Sequence, residues 1–296
     1  MKFDAPALAM GLAFSFMWSS AFTSARFAVI DAPPFLFLTT RFLVSGLLAI
    51  GLAFAMGQRI ALDRRGWLAV FLFGIFQNAV YLGFNFVAIQ WIDASVAVII
   101  ASLLPLVVAA LSWALFREQL RPMALLGLGA GVVGVLMVMS ARLGGGADPV
   151  GVALCFGGVL ALSAATLLVR GFSAGGNLLM IVGLQMLVGS ALLLPVAWFS
   201  ETWTVNWTLP LGIAFLYTTL IPGLLATFVW FKLVERIGAT RAAAFHFLNP
   251  FLGVAVASLL LREHLGPRDM LGVAVIMGGI LAVQLSRQAK PLLTQA

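Results

Sequence analysis

The stretch REQLRP (Arg117–Pro122) returns as REHLGP (Arg262–Pro267), 145 positions later in the chain (262 − 117). At this offset residues 93–139 align with residues 238–284 without a gap, and 15 of the 47 positions are identical. Apolar sequences often match by chance, but a gapless match that includes charged residues and prolines indicates an internal repeat.

The composition indicates that this repeat lies in a membrane. Hydrophobic residues make up 62% of the 296 positions and charged residues 9%, whereas a soluble domain is about 25% charged. Ten apolar runs are long enough to span the hydrocarbon layer. They lie at about residues 6–25, 33–56, 66–88, 94–116, 122–140, 149–169, 177–199, 208–231, 238–261 and 267–286. We therefore expect an all-α integral membrane protein with ten transmembrane helices, the first of them retained as a helix rather than cleaved as a signal peptide.

The repeat divides these helices into two groups of five, residues 1–145 and residues 146–296, which we expect to act together as one integral unit. Because five is odd, the second copy enters the bilayer from the opposite face. The sequence thus predicts an inverted repeat, an architecture that many secondary transporters use for alternating access.

The basic residues predict the orientation. Loops on the side of the N-terminus, with both termini, hold 12 Lys and Arg residues, and the opposite side holds 4. Positive charge stays inside, so both termini are expected in the cytoplasm. The net charge of +7 is then explained by membrane topology, and no nucleic-acid partner is expected.

Two pairs of equivalent residues have structural interpretations. Pro105 and Pro250 are expected to break the fourth and ninth helices. Glu118 and Glu263 are expected to accept N–H groups at the start of the helix that follows each of them, with a gate ion pair as the alternative.

The chain resembles the ten-helix EamA-type exporters of the drug/metabolite transporter superfamily over nearly its whole length. The resemblance rests on the two five-helix halves and on the repeated motifs REQLRP and REHLGP, which follow the fourth and ninth helices. It also rests on two further stretches, PPFLFLTTRFLVSGLLAI (Pro33–Ile50) in the second helix and FMWSSAFTSARFAV (Phe16–Val29) in the first. It implies a multi-pass exporter of the bacterial inner membrane. Within the superfamily, whose substrates include amino acids, nucleobases and drugs, the chain is most similar to the aromatic amino acid exporters.

Polar and aromatic residues within the apolar runs are candidates for the substrate pathway, because a polar group in lipid must face protein or a water-filled cavity. Gln77, Tyr81 and Asn85 recur every four residues on the third helix. The full set of predicted pathway residues is Trp18, Phe22, Gln77, Tyr81, Phe84, Asn85, Ser163, Tyr217, His246 and Asn249. The alternatives are aromatic residues at the membrane interface and polar groups bonded to a neighbouring helix or to their own backbone.

Arg41 is the one strongly basic residue well inside an apolar run. It lies roughly 12 Å from the outer end of its helix, at about 1.5 Å per residue, a distance that its long stem allows it to reduce by snorkelling outward. Because Arg41 belongs to the second-helix motif that carries the resemblance to the EamA-type exporters, we expect a structural role. The alternative is that it attracts a substrate carboxylate.

These residues predict a neutral, aromatic cavity without a deep carboxylate, suited to a compact molecule with an apolar body and a zwitterionic end. We expect a transporter that exports small neutral or zwitterionic metabolites such as aromatic amino acids, without a cofactor or metal. Other metabolites or drugs such as nucleobases are the alternative substrates, and a membrane enzyme or channel is a further alternative. His246 is the one side chain suited to proton coupling; otherwise export is facilitated. The expected partners are the substrate and the lipid bilayer, with a monomer expected and a dimer as the alternative.

Overall fold

The computed structural model describes residues 4–142, 147–168 and 177–288. Within these residues ten helices are long and apolar enough to cross a membrane. They are α1 (Ala5–Asp31), α2 (Pro34–Ala55), α3 (Arg64–Ala88), α4 (Ala94–Phe116), α5 (Pro122–Ala141), α6 (Pro149–Leu168), α7 (Leu178–Ser200), α8 (Leu209–Ile237), α9 (Arg241–Leu261) and α10 (Pro267–Ser286). The prediction of ten transmembrane helices is confirmed. Both chain termini and the predicted boundary between residues 145 and 146 lie outside the described residues.

The helices pack as two equivalent sets. α1 packs against α8 and α9, and its counterpart α6 packs against α3 and α4. α2 packs along its own counterpart α7, and α5 packs along α10. Exchanging each helix for its counterpart therefore converts one contact of this set into another, as an inverted repeat requires.

The α5–α10 pair shows this symmetry at the level of single atoms. A methyl group on Gly127 would lie 2.6 Å from the carbonyl oxygen of Gly279, and one on Gly134 would lie 2.8 Å from that of Gly272. The 145-residue offset converts the first contact into the second. Glycine is needed at these positions because the two backbones touch directly, as in small-residue contacts between membrane helices.

Both α4 and α9 are interrupted near the predicted prolines. α4 is regular over Ala94–Ala101 and again over Leu104–Phe116. In α9 a 3-10 turn at Phe245–Leu248 precedes the regular segment Asn249–Leu261. Proline lacks the N–H that would continue the helix, and Pro105 and Pro250 sit directly after the two interruptions.

Both helices also end in the same way. Arg117 and Arg262 follow their last residues with left-handed backbones, at φ values of 54° and 57°. A left-handed residue reverses the chain after a helix, so the repeated phrase encodes the same tight turn in both halves.

The structure corrects the expected role of Glu263. Its two carboxylate oxygens accept the N–H groups of Ala94 and Ser95, at 2.8 and 3.0 Å, at the start of α4. The prediction that it caps the following helix is wrong, because α4 of the other half begins beside the end of α9. Glu118, at the far end of α4, therefore lies at the opposite end of the bundle, and its role as a cap stays a prediction.

The paired helices α2 and α7 exchange equivalent caps. Glu201, just after α7, accepts the N–H groups of Phe35 and Leu36 at 2.8 Å each. Gln58, just after α2, accepts the N–H of Met180 at 3.1 Å. Partial burial raises the pKa of Glu201, while its two hydrogen bonds act in the opposite direction. Each helix of the pair thus satisfies the first turn of the other.

The glycine contact predicts that Gly127→Ala lowers the free energy of unfolding by about 1–3 kcal/mol, because the new methyl group overpacks the α5–α10 contact. Gly129→Ala on the same helix is the matched control, since a methyl group there meets nothing within 4 Å. Thermal unfolding in detergent measures both variants. Equal transition temperatures for the two would contradict the direct backbone contact.

The cap predicts that Glu263→Ala destabilises the protein by about 1.5–3 kcal/mol, because two N–H groups lose a charged acceptor. Amide hydrogen exchange at residues 94 and 95 should accelerate. Glu235→Ala provides the control, as Glu235 forms an exposed ion pair with Lys232 at 3.0 Å, and such pairs contribute little stability. Unchanged exchange at the start of α4 would refute the cap.

Candidate functional site

A cavity of about 140 Å³ lies between the two halves of the molecule. Its wall is formed by α1, α2 and α3 of the first half and by α7 and α8 of the second. Five of the predicted pathway residues line it, namely Trp18, Phe22, Gln77, Tyr81 and Asn85. The structure thus gathers side chains from two helices that the sequence could only assign separately.

The cavity is flanked by two π-helical segments, Gly74–Leu82 of α3 and Ile221–Leu225 of α8. When the first segment is shifted by 145 residues it covers residues 219–227, and this range contains the second segment. A π-helix has a wider turn than an α-helix and is frequently found at functional sites. Gln77 and its neighbour Asn78, both in the first of these segments, line the cavity.

Some of the amide and hydroxyl groups on α3 form hydrogen bonds within the protein and others do not. Asn78 Nδ2 donates to the carbonyl oxygen of Gln185 at 2.9 Å, and Asn85 Nδ2 donates to that of Tyr81 at 2.7 Å. The side chains of Gln77 and Tyr81 line the cavity and form no side-chain hydrogen bond within the described chain. These two side chains are therefore available to a bound molecule.

Aromatic rings form one side of the site. The Phe14 ring centre lies 4.6 Å from that of Trp230 and 5.3 Å from that of His246, and Trp18 lies 6.2 Å from His246. Phe14 and Trp18 also line the cavity. His246 therefore sits directly behind the wall, in contact with rings that belong to it.

Arg41 lies on the cavity wall rather than reaching outward. It is 6% exposed, and its Nε donates to the carbonyl oxygen of Thr218 at 3.2 Å. Pro222 has no N–H for the carbonyl four residues before it, so the oxygen of Thr218 lacks its usual helical partner. The guanidinium does not snorkel outward, because this carbonyl holds it inside the bundle. The prediction of a neutral cavity is wrong, since Arg41 is part of its wall.

Besides His246, four predicted pathway residues are not part of the cavity wall. Phe84 is partly exposed and packs near Gly157. Ser163 donates to the carbonyl of Val159 on its own helix. The remaining two are Tyr217, whose hydroxyl bonds Ser20 at 2.6 Å, and Asn249, which is fully buried. Their roles in the pathway, like those of the lining residues, stay predictions.

The sequence interpretation omitted several residues that line the cavity. They are chiefly Phe14, Asn78, Gln185, Met186, Thr218 and Thr227. Gln185 carried a usable signal, since it is an isolated amide in the middle of an apolar run. Asn78 carried the same signal, and its spacing of three and seven residues from Tyr81 and Asn85 also fits the helix face that those two residues share.

Comparison with known proteins agrees with this architecture. A solved crystal structure superposes with a TM-score of 0.69 at 22% identity, covering 95% of this chain and 98% of that chain, which shows the shared fold. The uncharacterized transporter YvbV of Bacillus subtilis is 25% identical over 275 residues, covering 93% of this chain and 90% of its own. The inner membrane transporter YedA of Escherichia coli, also uncharacterized, is 25% identical over 285 residues, covering 93% and 89%.

Protein PecM of Dickeya dadantii is 26% identical over 261 residues, covering 84% of this chain and 86% of its own. The model of the EamA-like transporter family matches residues 5–140 and again residues 149–285. With both halves matched, the chain belongs to the EamA-like transporter family.

Proposed function

We propose that this transporter exports small neutral or zwitterionic metabolites, with aromatic amino acids as the preferred class, by alternating access. The observation that carries the proposal is the cavity between the two halves, lined by rings, uncharged polar groups and one charged side chain, Arg41. The rings of Trp18, Phe22 and Phe42 suit an aromatic body. Gln77 and Tyr81 offer hydrogen bonds to its polar end.

The inverted repeat supports the alternating-access part of the proposal. The π-helical segments of α3 and α8 contribute residues to the wall of the one cavity, and α4 and α9 are interrupted at equivalent places. In many transporters the substrate site lies between such repeats, which rock about it. We assign the membrane as the bacterial inner membrane, with both termini in the cytoplasm and the protein as a monomer.

A nucleobase is the second candidate substrate. Asn78 uses its Nδ2 group on the Gln185 carbonyl, while the Gln77 amide remains available. An amide beside aromatic rings suits a planar base with donor and acceptor groups at its edge. Adenine and uracil should therefore be included as competitors in transport assays.

The proposal predicts that purified protein in liposomes releases labelled L-phenylalanine unchanged. Chromatography of the released label distinguishes export from enzymatic conversion, and a converted product would contradict the proposal. Tyr81→Phe should raise the KM about threefold to tenfold, because one neutral hydrogen bond is lost.

The only other tyrosine of the chain is the matched comparison. Tyr217→Phe removes a hydroxyl that bonds Ser20 outside the cavity wall, so it should lower thermal stability and leave the KM near that of the wild type. A KM unaffected by Tyr81→Phe but raised by Tyr217→Phe would reverse the assignment of the two residues.

Facilitated export predicts no substrate-dependent proton flux. No Asp or Glu lies on the cavity wall in the described chain, and His246 stands behind the aromatic rings. A pH-sensitive dye inside liposomes should report no change when L-phenylalanine is added to wild-type protein. A proton flux that depends on substrate and disappears in His246→Gln would show coupling through this histidine.

A further inference from the structure

Arg41 is the one charged side chain on the cavity wall in the part of the chain that the structure describes. An arginine side chain keeps its positive charge in proteins. A buried charge is costly unless it is paired, yet no carboxylate of the described residues forms an ion pair with Arg41. The cavity therefore holds a cation that lacks a protein counter-charge.

Most of the hydrogen-bonding capacity of this side chain is unused. A guanidinium has five N–H donors, and the Nε donor goes to the carbonyl oxygen of Thr218 at 3.2 Å. No other described residue accepts a hydrogen bond from Arg41. The four N–H groups of the two Nη atoms remain, in the planar fork that binds a carboxylate through two parallel hydrogen bonds.

The fold itself does not require a charge at this position. At the 145-residue offset the counterpart of Arg41 is Met186 on α7, which also lines the cavity. The α2–α7 pair is thus built with a cation on one side and an uncharged side chain at the equivalent place on the other. A charge that the scaffold needed in each half would be present in both.

Resting on the proposed function, which places the transported molecule in this cavity, we propose that Arg41 binds the carboxylate of that molecule. The substrate class is then carboxylates with an apolar or aromatic body. The ammonium group of an amino acid is dispensable, because no acidic side chain on the described cavity wall could pair with it. Trp18 and Phe42 contact the body of the substrate while Arg41 fixes its end.

The test is competition against uptake of labelled L-phenylalanine by wild-type protein in preloaded liposomes. 3-Phenylpropionate keeps the carboxylate and lacks the ammonium group, whereas phenethylamine keeps the ammonium group and lacks the carboxylate. We expect 3-phenylpropionate to compete within about tenfold of unlabelled L-phenylalanine, and phenethylamine to be at least about a hundredfold weaker. Equal competition by phenethylamine would overturn the proposal.

Substitution of the arginine gives a second readout. Arg41→Gln keeps an N–H donor for the Thr218 carbonyl but removes the charge, and should raise the KM for L-phenylalanine about tenfold to a hundredfold. Arg65→Gln, which removes an exposed charge at the start of α3, should leave the KM unchanged. A wild-type KM in a folded Arg41→Gln variant would overturn the proposal. If the variant does not fold, the competition with wild-type protein still decides.

The same assay separates this inference from the proposed function. Uptake of labelled 3-phenylpropionate without uptake of L-phenylalanine would contradict amino acid export and support the carboxylate site. Uptake of L-phenylalanine and phenethylamine alike would support the exporter and contradict the carboxylate site. Uptake of none of the three by stable wild-type protein would contradict both.

Discussion

The hydrocarbon core of a membrane offers no hydrogen bonds, so every backbone group that a helix leaves unpaired needs a partner from elsewhere in the chain. This constraint accounts for the most informative contacts in the molecule. The carbonyl left free by Pro222 holds Arg41, and the carbonyl of Phe245 in the interrupted α9 accepts the hydroxyl of Ser15 at 2.9 Å. Irregular backbone near the centre of the bundle is thus tolerated where side chains from the other half of the molecule satisfy it.

Most of the local features described above occur twice, at positions related by the two-fold symmetry of the halves. Breaks in α4 and α9, left-handed turns after them, and reciprocal caps between α2 and α7 all follow it. The cavity wall departs from this symmetry, since the counterpart of Arg41 is Met186 and the position equivalent to Pro222 is Gln77. A scaffold repeated twice thus encloses a site whose chemistry is not repeated, which suits an asymmetric solute.

The apolar runs and the gapless repeat were sufficient to predict the ten helices and their inverted arrangement. Both signals are read directly along the sequence and do not depend on which helices come into contact. The cap by Glu263 was assigned to the wrong helix, since its true partner depends on which helices of opposite halves meet. Asn78 was overlooked although it lies three and seven residues before Tyr81 and Asn85, a spacing that places it on their face of a regular helix. The direction of Arg41 depends on a carbonyl of α8 in the other half, which no local pattern contains.

The helix pairs α2–α7 and α5–α10 join segments made at very different times during synthesis. Gly46 and Gly183 approach so closely that a methyl group on either would lie about 3 Å from the carbonyl oxygen of the other. During translation, α2 and α5 are made before α7 and α10 exist, so their glycine surfaces lack the helices that they contact in the complete chain. The nascent first half is therefore an assembly intermediate rather than a finished module, and its native contacts close only as the ribosome completes the second.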